Sequence, residues 1–163
     1  MAEHSPSLER ISPCQVALLP LNRIAQVYPL VQSALPGTKL EDWIDYASAL
    51  VLAEDSSAPS GILAAERPRD CVAGLCAFQG RRDLEHGSIL QVELLIVLSL
   101  FDEARIAAAL ASEIEYTARR LGCRAVHCLL PDGGADHAQR ALRAFGHRLE
   151  GRVYCKAIAR SAC

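Results

Sequence analysis

One acidic residue, Glu93, stands inside the apolar run from Ser88 to Leu98. A carboxylate among Leu, Ile and Val is either a solvent-facing residue on a half-exposed strand or a proton acceptor kept in a protected place. Histidine offers a second chemistry. His127 lies in the apolar segment Ala125 to Leu130, where a core ring with its nitrogens hydrogen-bonded is the ordinary reading, and His86 and Asp83 share the polar stretch 80–87, where they could touch a substrate. Sulfur is the third. Cys71 and Cys76 repeat the spacing of Cys123 and Cys128, but on a strand an odd offset sends the two thiols to opposite faces, so neither pair can grip one metal ion. With 7 cysteines, an odd count, the expectation is small buried side chains in a reduced cytoplasm rather than a disulfide framework. No Ser/His/Asp arrangement, P-loop lysine motif or His-x-x-x-His spacing is present, so no metal site is expected.

The chain that must position these groups has 163 residues, 51% of them hydrophobic and 22% charged, enough to build a core in one domain spanning 1–163. A net charge of -2, from 17 basic and 19 acidic residues, gives no field for nucleic acid or an anionic membrane. The longest apolar run is broken by Gln91 and Glu93, and the N-terminus lacks a basic start followed by an apolar stretch, so neither a membrane span nor a secretory signal is expected.

The pattern of elements alternates. Residues 1–12 read as a loose arm, and Gln15 to Leu19 as a short strand stopped by Pro20. Ile24, Val27, Tyr28, Val31 and Leu35 follow a helical period that Pro29 should kink or shorten. Thr38 to Glu41 reads as a capping box opening a second helix, with Leu40, Trp43, Ile44, Ala47, Leu50 and Val51 on one face. Strands follow at Gly61–Glu66, Cys71–Gln79 and Ser88–Leu98, with residues 80–87 as a polar connection. Asp102 is a good N-cap for a long helix ending at Gly122. A short strand (Arg124–Leu130), a turn (Pro131–Gly134), a short helix (Asp136–Phe145) and a final strand or strands within Arg148–Ile158 complete the order. The unit from Ser88 to Leu130 should be a right-handed parallel crossover. The expected class is α/β (α+β), a mixed, mainly antiparallel sheet of six to seven strands with helices on both faces.

This order resembles the GNAT N-acetyltransferase superfamily over roughly residues 14–158. The family's long strand ends in an apolar residue, here Val97. Its pyrophosphate loop, Gln/Arg-x-x-Gly-x-Gly/Ala, aligns with Asp102-Glu103-Ala104-Arg105-Ile106-Ala107. Ala107 matches; Asp102 and Arg105 depart. Near the end, Ala138 and Gly146 fit the family pattern, while Leu142 stands where a tyrosine often protonates the departing thiolate. The resemblance implies acetyl-CoA as co-substrate, contacted by backbone groups of Leu95, Ile96 and Val97 and by Arg105, Ile106 and Ala107. Amides at a helix N-terminus can face phosphates, and a guanidinium at Arg105 could add a bidentate contact.

Glu93 would then be the base and Tyr154, the tyrosine near the C-terminal strands, the acid. The acceptor implied is an amine of a small molecule or a protein, met by the first two helices with Tyr28, Asp42, Trp43, Asp45 and Tyr46; acidic residues beside aromatics suit a cation. The alternative is a non-catalytic module of the same fold that has lost coenzyme A. A homodimer is left open.

Overall fold

In the computed structural model, residues 14–53, 58–69, 71–130, 136–151, 153, 155 and 156 are described. The expected arm 1–12, the turn Pro131–Gly134 and Tyr154 lie outside them. Five strands form one sheet: β1 (Gln15–Leu18), β2 (Ser60–Arg67), β3 (Cys71–Asp83), β4 (Gly87–Val97) and β5 (Ala125–Cys128), in the spatial order in which they occur along the chain. The first four pair antiparallel; β4 and β5 pair parallel over Ile89–Val92 and Ala125–Cys128, joined by the helix between them. The expected six to seven strands become five among the described residues. The shortfall lies in Arg148–Ile158, whose described residues join no strand.

Helices cover both faces. α1 (Tyr28–Ala34) and α2 (Leu40–Val51) pack on one, through Leu30, Val31, Trp43, Ala47 and Leu50 against Ile62, Ala64, Leu75, Ala77 and Ile96. α3 (Glu103–Arg120) and α4 (Asp136–Ala144) cover the other, through Ile106, Leu110, Ile114, Ala138 and Leu142 against Leu63, Cys76, Phe78, Leu90, Val92 and Leu95. Cys76 and Cys128 belong to this second layer, where burial pushes both thiols up, Cys128 to about 12. Gly74 is what lets α3 lie so close: a Cβ there would stand 2.8 Å from Ile106 Cγ2 and 2.9 Å from Leu110 Cδ1.

Three local readings change. Pro29 does shorten the first helix; two 3-10 turns, Leu21–Arg23 and Ala25–Val27, carry the chain into α1, where Pro29 occupies the first turn and needs no amide partner. The capping box does not form. Lys39 is the N-cap of α2 and makes no side-chain bond, because Thr38 sits one residue too early, its amide bonded to the Leu35 carbonyl and its carbonyl to the Tyr28 hydroxyl. The polar connection 80–87 is a hairpin. Gly80-Arg81-Arg82-Asp83 continues β3 in register with Gly87 to Leu90, and only residues 84–86 turn. Asp83 Oδ1 accepts the amides of Glu85 and His86, and Gly87 takes the left-handed conformation at φ 77° that closes the turn.

Candidate active site

Glu93 is the extra residue of a β-bulge. Leu94 pairs with Ala77 and Val92 with Phe78, so one residue of β4 intervenes where none does on β3. The consequence is a change of phase. Before the bulge Leu90 and Val92 face α3; after it Leu95 does, while Leu94 and Ile96 turn to the α1–α2 side. Backbone groups change phase as well. Val92 offers its carbonyl to the Leu129 amide on the β5 side, whereas Leu98 donates to Ala73 on the β3 side. By antiparallel alternation Leu94 and Ile96 also spend their groups on β3, and Leu95 and Val97 turn theirs toward β5. The β4–β5 ladder has ended by then, with Leu129 its last contact. Among the described residues β5 offers no further partner there, so the amides of Leu95 and Val97 face a gap in the pairing.

The Glu93 carboxylate stands on the bulge between two donors. Arg81 Nη2 lies 2.9 Å from Oε1, and the Tyr46 hydroxyl of α2 lies 3.3 Å from Oε2. The group is about three-quarters buried, with a side-chain exposure of 24%. Burial, reinforced by the Glu93 carboxylate, pushes the Tyr46 phenol well above its ordinary value, so it remains a neutral donor. Trp43 steadies Tyr46 from a ring centroid 6.1 Å away and is itself fixed by a 2.8 Å bond from Nε1 to the Ile24 carbonyl. Asp42 and Asp45 are exposed on the same helix, and Tyr28 is half-buried on α1 with its hydroxyl on Thr38.

After the gap comes the start of α3. Asp102 is its N-cap, and its carbonyl takes the Ile106 amide, but its carboxylate makes no capping bond. Arg67, from the end of β2, draws that carboxylate away at 3.0 Å and also bonds Ser99 Oγ, which accepts the amides of Phe101 and Asp102. The first-turn amides of α3 are thus left without a side-chain cap. Glu103 is met by His137 of α4, Nε2 to Oε2 at 2.7 Å. Arg105 is exposed in the first turn, makes no ion pair among the described residues, and lies with Arg67 and Asp102 within electrostatic reach of Cys14. Both acidic groups at the start of α3 therefore have cationic or donor partners, and Arg105 has none among the described residues.

The expected coenzyme contacts divide accordingly. Leu95 and Val97 border the gap; Ile96 pairs with Leu75 of β3. Ile106 and Ala107 are buried in the α3-side core, with the Ile106 amide already bonded to Asp102. Leu142 is buried in the same core and carries no proton to give. Tyr154 lies outside the described residues, as stated. Sequence reading missed Arg67, Ser99, Arg81 and His137. Only Arg81 left a trace, as a basic residue at an alternation-compatible place in a stretch taken for a loop.

No protein-family profile matches the sequence, and no curated protein does. Solved structures do match. Aminoglycoside N-acetyltransferase AAC(6')-Iy, solved in complex with CoA, is similar at a TM-score of 0.75 and 15% identity, over 93% of this chain and 98% of that one. A ribosomal-protein-alanine N-acetyltransferase from Brucella melitensis biovar Abortus 2308 gives 0.68 and 21% over 90% and 99%. Glucosamine-6-phosphate N-acetyltransferase from Arabidopsis thaliana gives 0.68 and 13% over 91% and 100%. The chain therefore has the fold of the GNAT acetyltransferases.

Proposed function

We propose that this chain is an acetyl-CoA-dependent N-acetyltransferase that acts on a primary amine of a small molecule or a protein. The observation that supports the reading is the bulge at Glu93, a partly buried carboxylate on the strand whose pairing with β5 ends at Val92 among the described residues. Acetyl-CoA would supply an activated thioester there. The amides of Leu95 and Val97 would hold its carbonyl and its pantetheine arm, and the uncapped first turn of α3 with Arg105 would take the pyrophosphate. Glu93 would accept the proton of the attacking amine, directly or through one water, while Arg81 and Tyr46 fix its orientation. Tyr154 is the proposed acid on sequence grounds. Asp42 and Asp45 beside Trp43 and Tyr46 favour a cationic acceptor.

Calorimetry and thermal shift with acetyl-CoA and CoA test the reading. At 100 times the dissociation constant, CoA should stabilise the fold by about 2.7 kcal/mol. Acetylated products from a panel of polyamines, aminosugars and peptide N-termini, read by mass spectrometry, identify the acceptor. The absence of both heat and thermal shift at millimolar CoA would overturn the proposal.

A further inference from the structure

Away from the gap, the tip of the β3–β4 hairpin meets β5. Asp83 ends β3, His86 lies in the turn, and His127 is held in register opposite Gln91 of β4. These three side chains, from two segments 41 residues apart between His86 and His127, each offer one donor atom within 4.8 Å of the others. The rings of His86 and His127 stand edge to face, 5.4 Å apart at 84°. Nε2 of His127 is shut off from solvent and has no hydrogen-bond partner among the described residues, contrary to the satisfied core histidine expected from the sequence. A buried imidazole nitrogen without a partner is costly, and it calls for a ligand.

The neighbours are arranged as a donor set needs them. Asp83 is held by two backbone amides on Oδ1, at 3.0 and 2.7 Å, which fixes the carboxylate, and Oδ2 accepts no hydrogen bond among the described residues. His86 Nε2 faces Glu150 Oε2 at 3.1 Å, and Arg148 holds the other oxygen of Glu150 at 3.0 Å. All of these groups except Arg148's guanidinium are metal ligands by type, and they line one cleft of about 770 Å³. We infer that Asp83, His86 and His127 form a binding site for a divalent transition metal ion of the zinc class, with Glu150 as the adjoining fourth donor. Imidazole with carboxylate suits zinc, cobalt or nickel, whereas magnesium and calcium prefer oxygen alone. Ligand atoms on a tetrahedral ion stand about 3.3 Å apart for bonds near 2.0 Å, within the 4.8 Å that spans the three donor atoms here. The ion replaces the proton shared by His86 and Glu150, which leaves to solvent. Its binding would fasten the hairpin tip to β5 and to the segment after α4. This inference does not rest on the acetyltransferase reading.

Zinc itself is the probe. The full chain, stripped with a chelator and kept reduced, should bind one Zn²⁺ per chain in calorimetry and melt higher for it. Cobalt(II) should give weak visible d–d bands without the intense near-ultraviolet bands of thiolate ligation, which separates this site from the cysteines. His127→Gln and His86→Gln should each weaken Zn²⁺ binding by at least the 10–100-fold typical of lost supporting contacts. His86 lies in the hairpin turn, so its variant keeps the test valid if His127→Gln fails to fold. Absence of saturable binding, thiolate bands with cobalt, or unchanged affinity in folded His86→Gln would each overturn the inference.

Discussion

Replacing Gly74 with alanine tests how closely α3 is seated, and so what holds its first turn in place. The new Cβ would stand 2.8 Å from Ile106 Cγ2, 2.9 Å from Leu110 Cδ1 and 3.2 Å from the Ile96 carbonyl oxygen. Ordinary carbon contacts are about 3.5–4.0 Å, so the two side-chain contacts fall short by roughly 0.6–1.2 Å. Leu110 Cδ1 is the end of a rotatable chain and can give. Ile106 Cγ2 cannot: it branches at Cβ, its rotamer is fixed in the helix, and the residue is fully buried. Overpacking of this kind costs about 1–3 kcal/mol. Gly→Ala also restricts the unfolded chain, which returns about 0.4–1 kcal/mol. At the middle of both ranges the clash wins by about 1.3 kcal/mol, which for a chain of this size lowers Tm by about 3–5 °C. Thermal denaturation followed by circular dichroism measures it. A double-mutant cycle with Ile106→Ala should show coupling of about 1 kcal/mol, because the cavity relieves the clash. A Gly74→Ala protein melting at or above the wild-type temperature would refute the close seating of α3 on β3. CoA affinity should fall with it, since the displaced helix carries the uncapped turn.

Glu93→Gln should lower kcat/KM by about 10²–10⁴-fold, with Tm nearly unchanged because its partner Arg81 is 55% exposed; a rate within threefold of wild type would exclude Glu93 as base. Arg67→Met should free Asp102 to cap α3, so equilibrium binding should show CoA about tenfold weaker while urea midpoints stay within error. Arg105→Ala should weaken CoA by about 1.5–3 kcal/mol, and dephospho-CoA should report the same loss because its pyrophosphate is intact. Burial raises Cys128 from 9.0 to about 12, so the folded chain holds that proton more tightly than the unfolded one. Its stabilisation is complete below pH 9 and fades as pH rises through 12. In reductant, urea midpoints should drop across that range and drop less in Cys128→Ala.

Much of the frame was legible in the sequence because periodicity reports burial. The α3 stripe of Ile106, Leu110, Ile114 and Ala118 packs as its spacing implies, and Pro29 limits α1 as its ring requires. Glu93 was legible as an anomaly, an acid in an apolar run, but its cause was not, since a bulge is a relation between two strands. Arg81 and Arg82 read as loop because polarity resembles solvent exposure, and on the outer end of a hairpin it is both. The Arg67–Asp102 pair spans two turns, two strands and a helix start, and no local rule connects its ends. Asp83, His86 and His127 meet only after β4 and β5 pair, so ligand-spacing rules could not see them.

The bulge also makes β4 behave like a reading frame. Upstream of residue 93 the strand is read in one phase, downstream in the other, and the extra residue keeps the two in step with their separate surroundings. Missense changes at 93 leave that frame intact. A single-codon deletion there would not: Leu94, Leu95, Ile96 and Val97 would each exchange one side of the sheet for the other, and the free amides would turn into the β3 ladder. Among drifting copies of this gene, then, a spelling change at position 93 should cost the carboxylate but spare the sheet, whereas a change in length should cost the sheet as well.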